Sequence, residues 1–428
     1  MFNLRQRFRP STITDLSSTI EAEVRSLALG KKVRPGASVA IACGSRAIAN
    51  HAAILKAVVD HLKGLKARPF LVPAMGLDAG GTAEGQLRVL SMFGITEETV
   101  GAEIRSSMEA EVVGQLPEGV PVYCDRHALA ADHIFVVNRV RPHSALDGEV
   151  QSGLLKMLAM GLGKEVGARV YHNAVATMPF ADLARGVWNV YLDTGRLLAG
   201  LMLVENGQSE TARIQATAAK NFPDAELKML RYARALFPAL PFHFIDILLV
   251  DEMGTAFGCH GVDLNVVGRK LPTHETGWAK APRIRTLVLR DLHPASMGNA
   301  VGIGHADLVR SRLVRKMDSG ATRLNALALT IPSLAAIPIH FETDREILDA
   351  ALSMAPLQPR EKARIVWIRN TSSLTEFECS EPFLDEVTHW KDLVVSSQLH
   401  PLDFDTKGNL PDFVSGTVIK PTGNPFPE

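Results

Sequence analysis

The chain has 428 residues, which is too long for one ordinary hydrophobic core and fits two or three domains. Lys plus Arg and Asp plus Glu each number 46, and the resulting zero net charge argues against a general nucleic-acid binder. No apolar run is long enough to span a membrane, no secretory signal is visible, and four widely separated cysteines form no CxxC pair, so we expect a cytoplasmic protein without disulfides or a membrane partner.

Strands and helices are predicted to alternate at the start of the chain. The predicted elements are a helix at 11–30, a strand at 38–43, a helix at 47–65 and a strand at 68–75. Strand–turn–helix alternation of this kind predicts a mostly parallel sheet. In such sheets ligands bind beyond the carboxyl ends of the strands, so the loops that follow 38–43 and 68–75 become candidate sites.

Each of these two loops carries one charged candidate residue. For Arg46, after the first strand, a solvated surface arginine and a functional cation are equally good interpretations. Asp78 lies in the glycine-rich loop 76–86, and because aspartate is favoured in turns and caps, a structural role is the better interpretation from the loop alone. The glycines spell neither G-x-G-x-x-G nor a P-loop, so no standard dinucleotide site is predicted.

A third candidate follows the predicted strand 133–140, which runs directly into Arg141-Pro142-His143. Proline fixes the backbone before the histidine and ends any helix there. A histidine on such a loop is either a general base or an ordinary structural histidine, and the structural alternative is favoured on the loop alone.

Two further candidates lie on the next elements. A helix is predicted over 149–163, with Lys156 turned away from its leucine stripe. Lys156 is then either a solvated side chain or an activated amine nucleophile on a largely apolar face, and both interpretations stay open. His172 ends an Ala-Arg-Val-Tyr segment that we predict to be a strand.

The rest of the chain is predicted to continue in the same style. The expected elements are helices at 180–203 and 209–236, a proline-rich join at 238–243, strands at 244–250, 284–291 and 363–369, glycine-rich loops at 251–270 and from 297, a basic helix ending at 316, and an extension at 400–428. The sequence therefore predicts an α/β fold of two α/β domains, 1–238 and 239–428. Both should have mostly parallel sheets, with the active site in the cleft between them.

Several of these segments resemble, in order, the nickel-dependent lactate racemase superfamily. The match is closer to its longer homologues, the 2-hydroxyacid racemases and epimerases, and it extends over nearly the whole chain. The segments are GSRAIAN (44–50), PAMGLDAGGTAEGQ (73–86), NRVRPH (138–143), SGLLKMLAMGLGK (152–164), VYH (170–172), VDEMG (250–254), GVDLNVVGR (261–269) and GNAVGIGHAD (298–307).

The resemblance implies an unusual cofactor in the domain 1–238. The family uses a nickel-pincer nucleotide (pyridinium-3-thioamide-5-thiocarboxylic acid mononucleotide), which dedicated biosynthesis enzymes make. A lysine holds it covalently through a thioamide, and a histidine supplies the remaining nickel ligand. The matching residues are Lys156 and His172, separated by 172 − 156 = 16 positions as in the family pattern. Imidazole is an ordinary nickel ligand.

The resemblance also implies the reaction. The family inverts an alcohol-bearing carbon beside a carboxylate: one base takes the hydroxyl proton while the cofactor accepts the hydride, and two acid/base groups serve the two faces. His143 matches one of the two family histidines, whereas Asp78 stands where the other is usual. Because a carboxylate has an ordinary pKa of about 3.9 and an imidazole of about 6.5, this departure matters. Asp78 either acts as a base in a buried setting, alters the reaction, or binds a substrate hydroxyl.

Substrate contacts are implied in both domains. Arg46 matches an arginine near the family's substrate and suits a carboxylate. Asn265 belongs to an Asp-x-Asn element, and where the lactate racemases then carry Tyr and Lys contacts this chain has Arg269 and Lys270, either substitutes or surface charges. His305 is a weaker pocket candidate. These changes favour a larger 2-hydroxyacid, such as a sugar acid, over lactate.

Three functions stay open from the sequence. The first is an isomerase that racemises or epimerises a 2-hydroxyacid. The second is an enzyme that keeps the cofactor but runs a one-way hydroxyacid redox or isomerase step because Asp78 replaces histidine. The third is a non-catalytic homologue that binds a small acid. The presence of Lys156 and His172 favours the two enzymes.

Overall fold

The computed structural model describes residues 1–8, 11–44, 48–76, 79–143, 146, 148–258, 260–269, 281–355 and 359–413. The chain divides into two compact units. One is Pro10–Phe237, and the other combines Met1–Arg9 with Pro238–Glu428. Both are α/β, which confirms the predicted fold class. Within the described ranges, no helix combines the length and apolar character needed to cross a membrane.

The strands are β1 (Phe2–Gln6), β2 (Ser38–Cys43), β3 (Arg68–Pro73), β4 (Ala110–Gln115), β5 (Pro121–Asp125), β6 (His133–Arg139), β7 (Leu197–Glu205), β8 (Thr211–Ala218), β9 (Phe244–Met253), β10 (Arg283–Leu292), β11 (Leu308–Arg310), β12 (Ile339–Phe341), β13 (Ile365–Ile368), β14 (Glu376–Cys379) and β15 (Leu393–Val395). The α-helices are α1 (Leu16–Ser26), α2 (His51–Gly64), α3 (Ala83–Met92), α4 (Glu97–Val100), α5 (Arg126–Ala130), α6 (Gly153–Lys156), α7 (Lys164–Ala174), α8 (Phe180–Asp193), α9 (Phe222–Leu236), α10 (Leu264–Val267), α11 (Ser311–Lys316), α12 (Ser319–Ala328), α13 (Asp344–Ser353) and α14 (Leu384–Val387). A π-helical segment, Met157–Gly161, continues α6.

The sheet of the unit Pro10–Phe237 has the order β3-β2-β6-β7-β8. Its first four strands are parallel, and β8 pairs antiparallel with β7. Helices cover both faces of this sheet, as the alternating side chains of β2 show. Ala40 and Ala42 face a core that includes α6 to α9, whereas Val39 and Ile41 face one that includes α1 and α2. Because both faces are covered, the interior strands are continuous apolar runs and carry no polar alternation.

Two predicted helices are wrong in part. Residues 180–203 form α8 only as far as Asp193, and 209–236 begin with β8 before α9. A turn at Gly195, with φ of +68°, ends the helical region, and the apolar residues that follow become β7. A buried strand and a buried helix have the same uninterrupted apolar composition, so periodicity alone does not separate them.

The sheet of the second unit has the order β12-β11-β10-β9-β13-β14-β1-β15. The strands from β12 to β13 are mutually parallel, and the last three pair antiparallel. The strands predicted at 244–250, 284–291 and 363–369 appear as β9, β10 and β13. Strand β1 was not predicted, because its pairing partners, β14 and β15, lie at the other end of the chain.

Candidate functional site

Three loops leave the carboxyl ends of β2, β3 and β6, and the segment 153–161 packs against all three. A Cβ added at Gly44, after β2, would lie 3.2 Å from Met157 Cε. A Cβ added at Gly76, after β3, would lie 2.6 Å from the carbonyl oxygen of Met160. Asn138 Nδ2, at the end of β6, donates a hydrogen bond of 2.8 Å to the carbonyl of Gly153. The expected edge of the sheet is therefore the place where these loops converge.

The start of α6 is fixed by a buried carboxylate that the sequence did not single out. Glu226, on α9, accepts hydrogen bonds at its Oε2 from the backbone N–H groups of Leu154 (2.6 Å) and Leu155 (3.1 Å). Burial raises the pKa of Glu226 to about 8, although the two N–H groups oppose the shift. Gly153 has φ of +86°, and a Cβ there would lie 2.5 Å from Glu226 Oε2. Glycine is thus required for the carboxylate to reach the turn that carries Lys156.

Lys156 is the last α-helical residue before the helix widens into the π-helical segment Met157–Gly161. Such segments are rare and occur frequently at functional sites. The predicted leucine stripe is fully buried, and Lys156 itself is half-buried beside the buried Ala159. A Cβ added at Gly161 would lie 2.7 Å from the carbonyl oxygen of Ala74, so the loop after β3 touches the segment directly.

His143 and Lys156 are in direct contact. Lys156 Nζ and His143 Nε2 are 2.6 Å apart. The loop is held independently of this contact, because the N–H of His143 donates to Gln151 Oε1 (3.1 Å) and the N–H of Arg141 donates to Ser152 Oγ (2.8 Å). An ammonium only donates, so when Lys156 is charged the imidazole accepts through Nε2 and is neutral.

His172 lies in the last turn of α7, so the strand predicted for this segment is wrong. The valine and tyrosine before it are residues typical of strands. Here Tyr171 is fully buried, and its hydroxyl accepts a hydrogen bond of 2.9 Å from the backbone N–H of Tyr123. This long-range contact overrides the local preference. The imidazole of His172 is half-buried.

Lys164 is a second buried group that sequence reasoning missed. Its side chain is fully buried, its backbone has φ of +54°, and its Nζ lies 3.1 Å from Asp125 Oδ2. It also donates to the carbonyl of Pro73 and to Gln86 Oε1, and Gln86 donates in turn to the carbonyl of Gly76. Burial lowers the pKa of Lys164, and Asp125 opposes that shift. The ammonium therefore ties α7 to the loop after β3.

Three of the predicted site residues, Arg46, Asp78 and Lys270, lie outside the described residues. Of the other six, three lie in the unit Pro10–Phe237 and have been described above, and Asn265, Arg269 and His305 lie in the second unit. Arg269 donates to the carbonyls of Ile284 (2.8 Å) and His305 (3.3 Å) and forms an ion pair with Asp307. These contacts give its guanidinium a structural explanation.

Asn265 and His305 also belong to the second unit. Asn265 is buried on α10, and its backbone N–H donates 3.0 Å to Asp263 Oδ1. Its Nδ2 has no hydrogen-bond partner among the residues that the structure describes. The ring of His305 lies 5.8 Å from that of His260.

Over the described ranges, no group of three or more His, Cys, Asp or Glu side chains is arranged to hold a metal ion. The resemblance leads us to expect a single protein ligand, His172, so a cluster of this kind is not what the hypothesis requires. The described cysteines, Cys43, Cys124 and Cys379, are buried and unpaired with one another.

Comparison with known proteins gives a distant likeness in fold. No protein-family model matches the chain, and no curated protein matches it. The lactate racemase apoprotein from Thermoanaerobacterium thermosaccharolyticum has a TM-score of 0.48 and 11% identity, over 83% of this chain and 96% of that one. A Thermotoga maritima protein solved by structural genomics has a TM-score of 0.47 and 14% identity, over 76% and 83%.

Proposed function

We propose that this chain is a nickel-dependent racemase or epimerase that inverts the C2 stereocentre of a 2-hydroxyacid. The sequence segments that resemble the lactate racemase superfamily support this proposal. The observation that carries it is the 2.6 Å contact between Lys156 Nζ and His143 Nε2. The residue expected to anchor the cofactor and the residue expected to move a proton were predicted from separate segments, and they are neighbours.

The residues present suit the expected cofactor. A pincer nucleotide brings most of its own nickel ligands, so it requires one amine and one imidazole from the chain. Lys156 would provide the amine for the thioamide, and His172 would provide the imidazole that binds nickel. When bound, the group supplies the hydride acceptor for the substrate carbon.

The chain's own part in the reaction is proton transfer and orientation. His143 would take the substrate hydroxyl proton on Nε2 and return it, which is general base and then general acid catalysis. Gln151 holds the backbone of this loop at 3.1 Å and keeps the imidazole at the carboxyl edge of the sheet. Asp78 is proposed as the second acid/base group and Arg46 as the carboxylate binder, both on the resemblance alone.

The substrate proposed is a 2-hydroxyacid larger than lactate, such as a sugar acid. The reason is the sequence after Asn265, which lacks the Tyr and Lys contacts of the lactate racemases. The contacts of Arg269 with Asp307 and two carbonyls leave this residue out of the proposal.

The test is a stereochemical screen of protein co-expressed with the cofactor-making enzymes. Each enantiomer or epimer of a panel of 2-hydroxyacids and aldonic acids is incubated, and its configuration at C2 is followed. We expect one pair to converge on the same mixture from both sides. His143→Gln should lower the rate by about 10²-fold or more, because a general base is lost, whereas the control His61→Gln on α2 should not. Nickel-loaded protein that interconverts no pair contradicts the proposal, and conversion in one direction alone points to the one-way enzyme.

A further inference from the structure

The contact between Lys156 and His143 also bears on the chemistry of the lysine itself, before any substrate binds. An amine that is to form a bond to carbon must first lose its proton, and a charged lysine does so only if a base is at hand. His143 Nε2 lies 2.6 Å from Lys156 Nζ, within the range of a proton-transfer hydrogen bond.

The helix around Lys156 is apolar and buried. Leu155 and Ala159, on either side of Lys156 along the helix, are fully buried, and Met160 is nearly so. Lys156 itself is half-buried, and its Nζ is directed to His143 Nε2. Lys56, for comparison, is exposed and forms an ion pair of 2.7 Å with Asp60.

We infer that His143 is the base that activates Lys156 as a nucleophile, so that the chain prepares its own covalent attachment site. Lys156 Nζ gives a proton to His143 Nε2 and forms an N–C bond to the carbon of a thiocarboxylic acid. The C–O bond of that acid, in its ionised thiocarboxylate form, breaks, and the oxygen leaves as water with two protons: the one that His143 returns and a second from the Lys156 nitrogen, which keeps a single N–H in the thioamide. No electrons are gained or lost overall. The class of the electrophile rests on the proposed function, whereas the activation of the amine does not.

The same base then serves twice. Once Lys156 is acylated, its nitrogen carries no positive charge and no longer donates to Nε2 as an ammonium does. His143 Nε2 is then available for the hydroxyl proton of the substrate. Attachment and proton transfer on the substrate are thereby assigned to one imidazole at successive stages.

The test measures amine reactivity in the full chain without cofactor. The protein is treated with limiting trinitrobenzenesulfonate, which modifies neutral amines, and the labelling rates of Lys156 and Lys56 are followed by peptide mass mapping. His143→Gln is the key variant, because its amide oxygen still accepts a hydrogen bond but takes no proton, and the backbone contact with Gln151 is unaffected. His143→Ala is the second variant, since it widens access to Lys156.

We expect the labelling of Lys156, relative to Lys56, to fall by about 10²-fold in both variants, as for the loss of a general base. The control His61→Gln should leave the ratio unchanged, and circular dichroism checks the fold of each protein. A ratio that is unchanged or raised in His143→Gln overturns the inference, since it would make His143 a neighbour without a chemical role.

A second measurement separates this inference from the proposed function. After co-expression with the cofactor-making enzymes, the mass of wild-type and His143→Gln chains is compared. An adduct on the wild type and none on the variant supports both ideas. No adduct on the wild type contradicts the proposed function. The role of His143 in activating Lys156 is then decided by the labelling result alone. Equal adducts on both chains overturn the role of His143 in attachment.

Discussion

At the scale of single residues, the site depends on a few buried titratable side chains that hold the helix of Lys156 in place. Glu226 reaches the first turn of α6 through the gap that Gly153 leaves. Lys164 performs a similar task for the loop after β3. Both residues are distant in sequence from the segments that they hold, so no local sequence pattern predicts these contacts. His143 and Lys156 were predicted because the segments 138–143 and 152–164 resemble the lactate racemase superfamily; the loop and the helix alone left their roles open.

Glu226 should make the stability of the protein depend on pH in a definite direction. Its pKa is raised from 4.5 to about 8, so between these values the folded protein keeps a proton that the unfolded chain has released. The contribution is fully present below pH 4.5 and is lost as the pH rises through 8.

The measurement is the free energy of unfolding by urea at several pH values for wild type and Glu226→Gln. We expect the wild type to lose up to about 1.4 kcal/mol per pH unit relative to the variant over this range. Glu98→Gln, at an exposed carboxylate of α4, is the control and should follow the wild type. Parallel curves for wild type and Glu226→Gln would count against a buried, titrating Glu226.

At the scale of elements, the sequence predicted strands where short apolar runs end in turns, as at β2, β3 and β6. It failed where a strand and a helix have the same composition, as at β7, and where a distant partner decides, as at β1 and at the helix of His172. The hairpin of β4 and β5 was also missed, and no residue of β4 is buried, so it shows no pattern of apolar burial. The meeting of the loops at the carboxyl edge of the sheet followed from parallel topology, whereas their packing against 153–161 and the π-helical segment did not.

The π-helical segment should tolerate no side chain at Gly161. A Cβ there would lie 2.6 Å from Met157 Sδ and 2.7 Å from the carbonyl of Ala74, and the second of these is backbone. Gly161→Ala should therefore destabilise the protein by about 1–3 kcal/mol through overpacking and displace the loop after β3. Thermal unfolding and the labelling rate of Lys156 check this.

Gly64→Ala is the matched control, since nothing lies within 4 Å of a Cβ at this helical position. It should be neutral or stabilising by about 0.5–1 kcal/mol. If Gly161→Ala behaves like Gly64→Ala, the close approach of the loop and the segment is not real.

At the scale of the whole molecule, each unit has its own buried core, and the core of the second unit contains a cluster of charged side chains. Arg290 is fully buried on β10, forms an ion pair with Asp251 and donates to both carboxylate oxygens of Asp344 (3.0 and 2.9 Å). It also donates to the carbonyl of Leu410 (2.8 Å), which ties the extension near the end of the chain to the sheet. Burial by itself would raise the pKa of Asp344, but the hydrogen bonds and charge of Arg290 outweigh it and lower that pKa.

Replacement of Arg290 should therefore destabilise the second unit strongly. Arg290→Met leaves the buried Asp251 without its cation and Asp344 with Arg310 alone, which typically costs about 3–5 kcal/mol. Arg315→Met, at an exposed ion pair with Glu342, is the control and should change little. Urea unfolding, monitored by tryptophan fluorescence, measures this loss of stability, because Trp367 Nε1 donates a hydrogen bond of 2.6 Å to Asp251. Equal effects of the two changes would contradict a central role for Arg290.

The central claim is that Lys156 carries the nickel-pincer nucleotide, and mass analysis tests it most directly. The chain is purified after co-expression with the cofactor-making enzymes, and intact mass, peptide mapping and nickel content are measured for wild type, Lys156→Arg and the surface control Lys56→Arg. We expect a covalent adduct on Lys156 with bound nickel in wild type and Lys56→Arg, and no adduct in Lys156→Arg. Wild-type protein without adduct or nickel, or with an adduct that survives in Lys156→Arg, would contradict it.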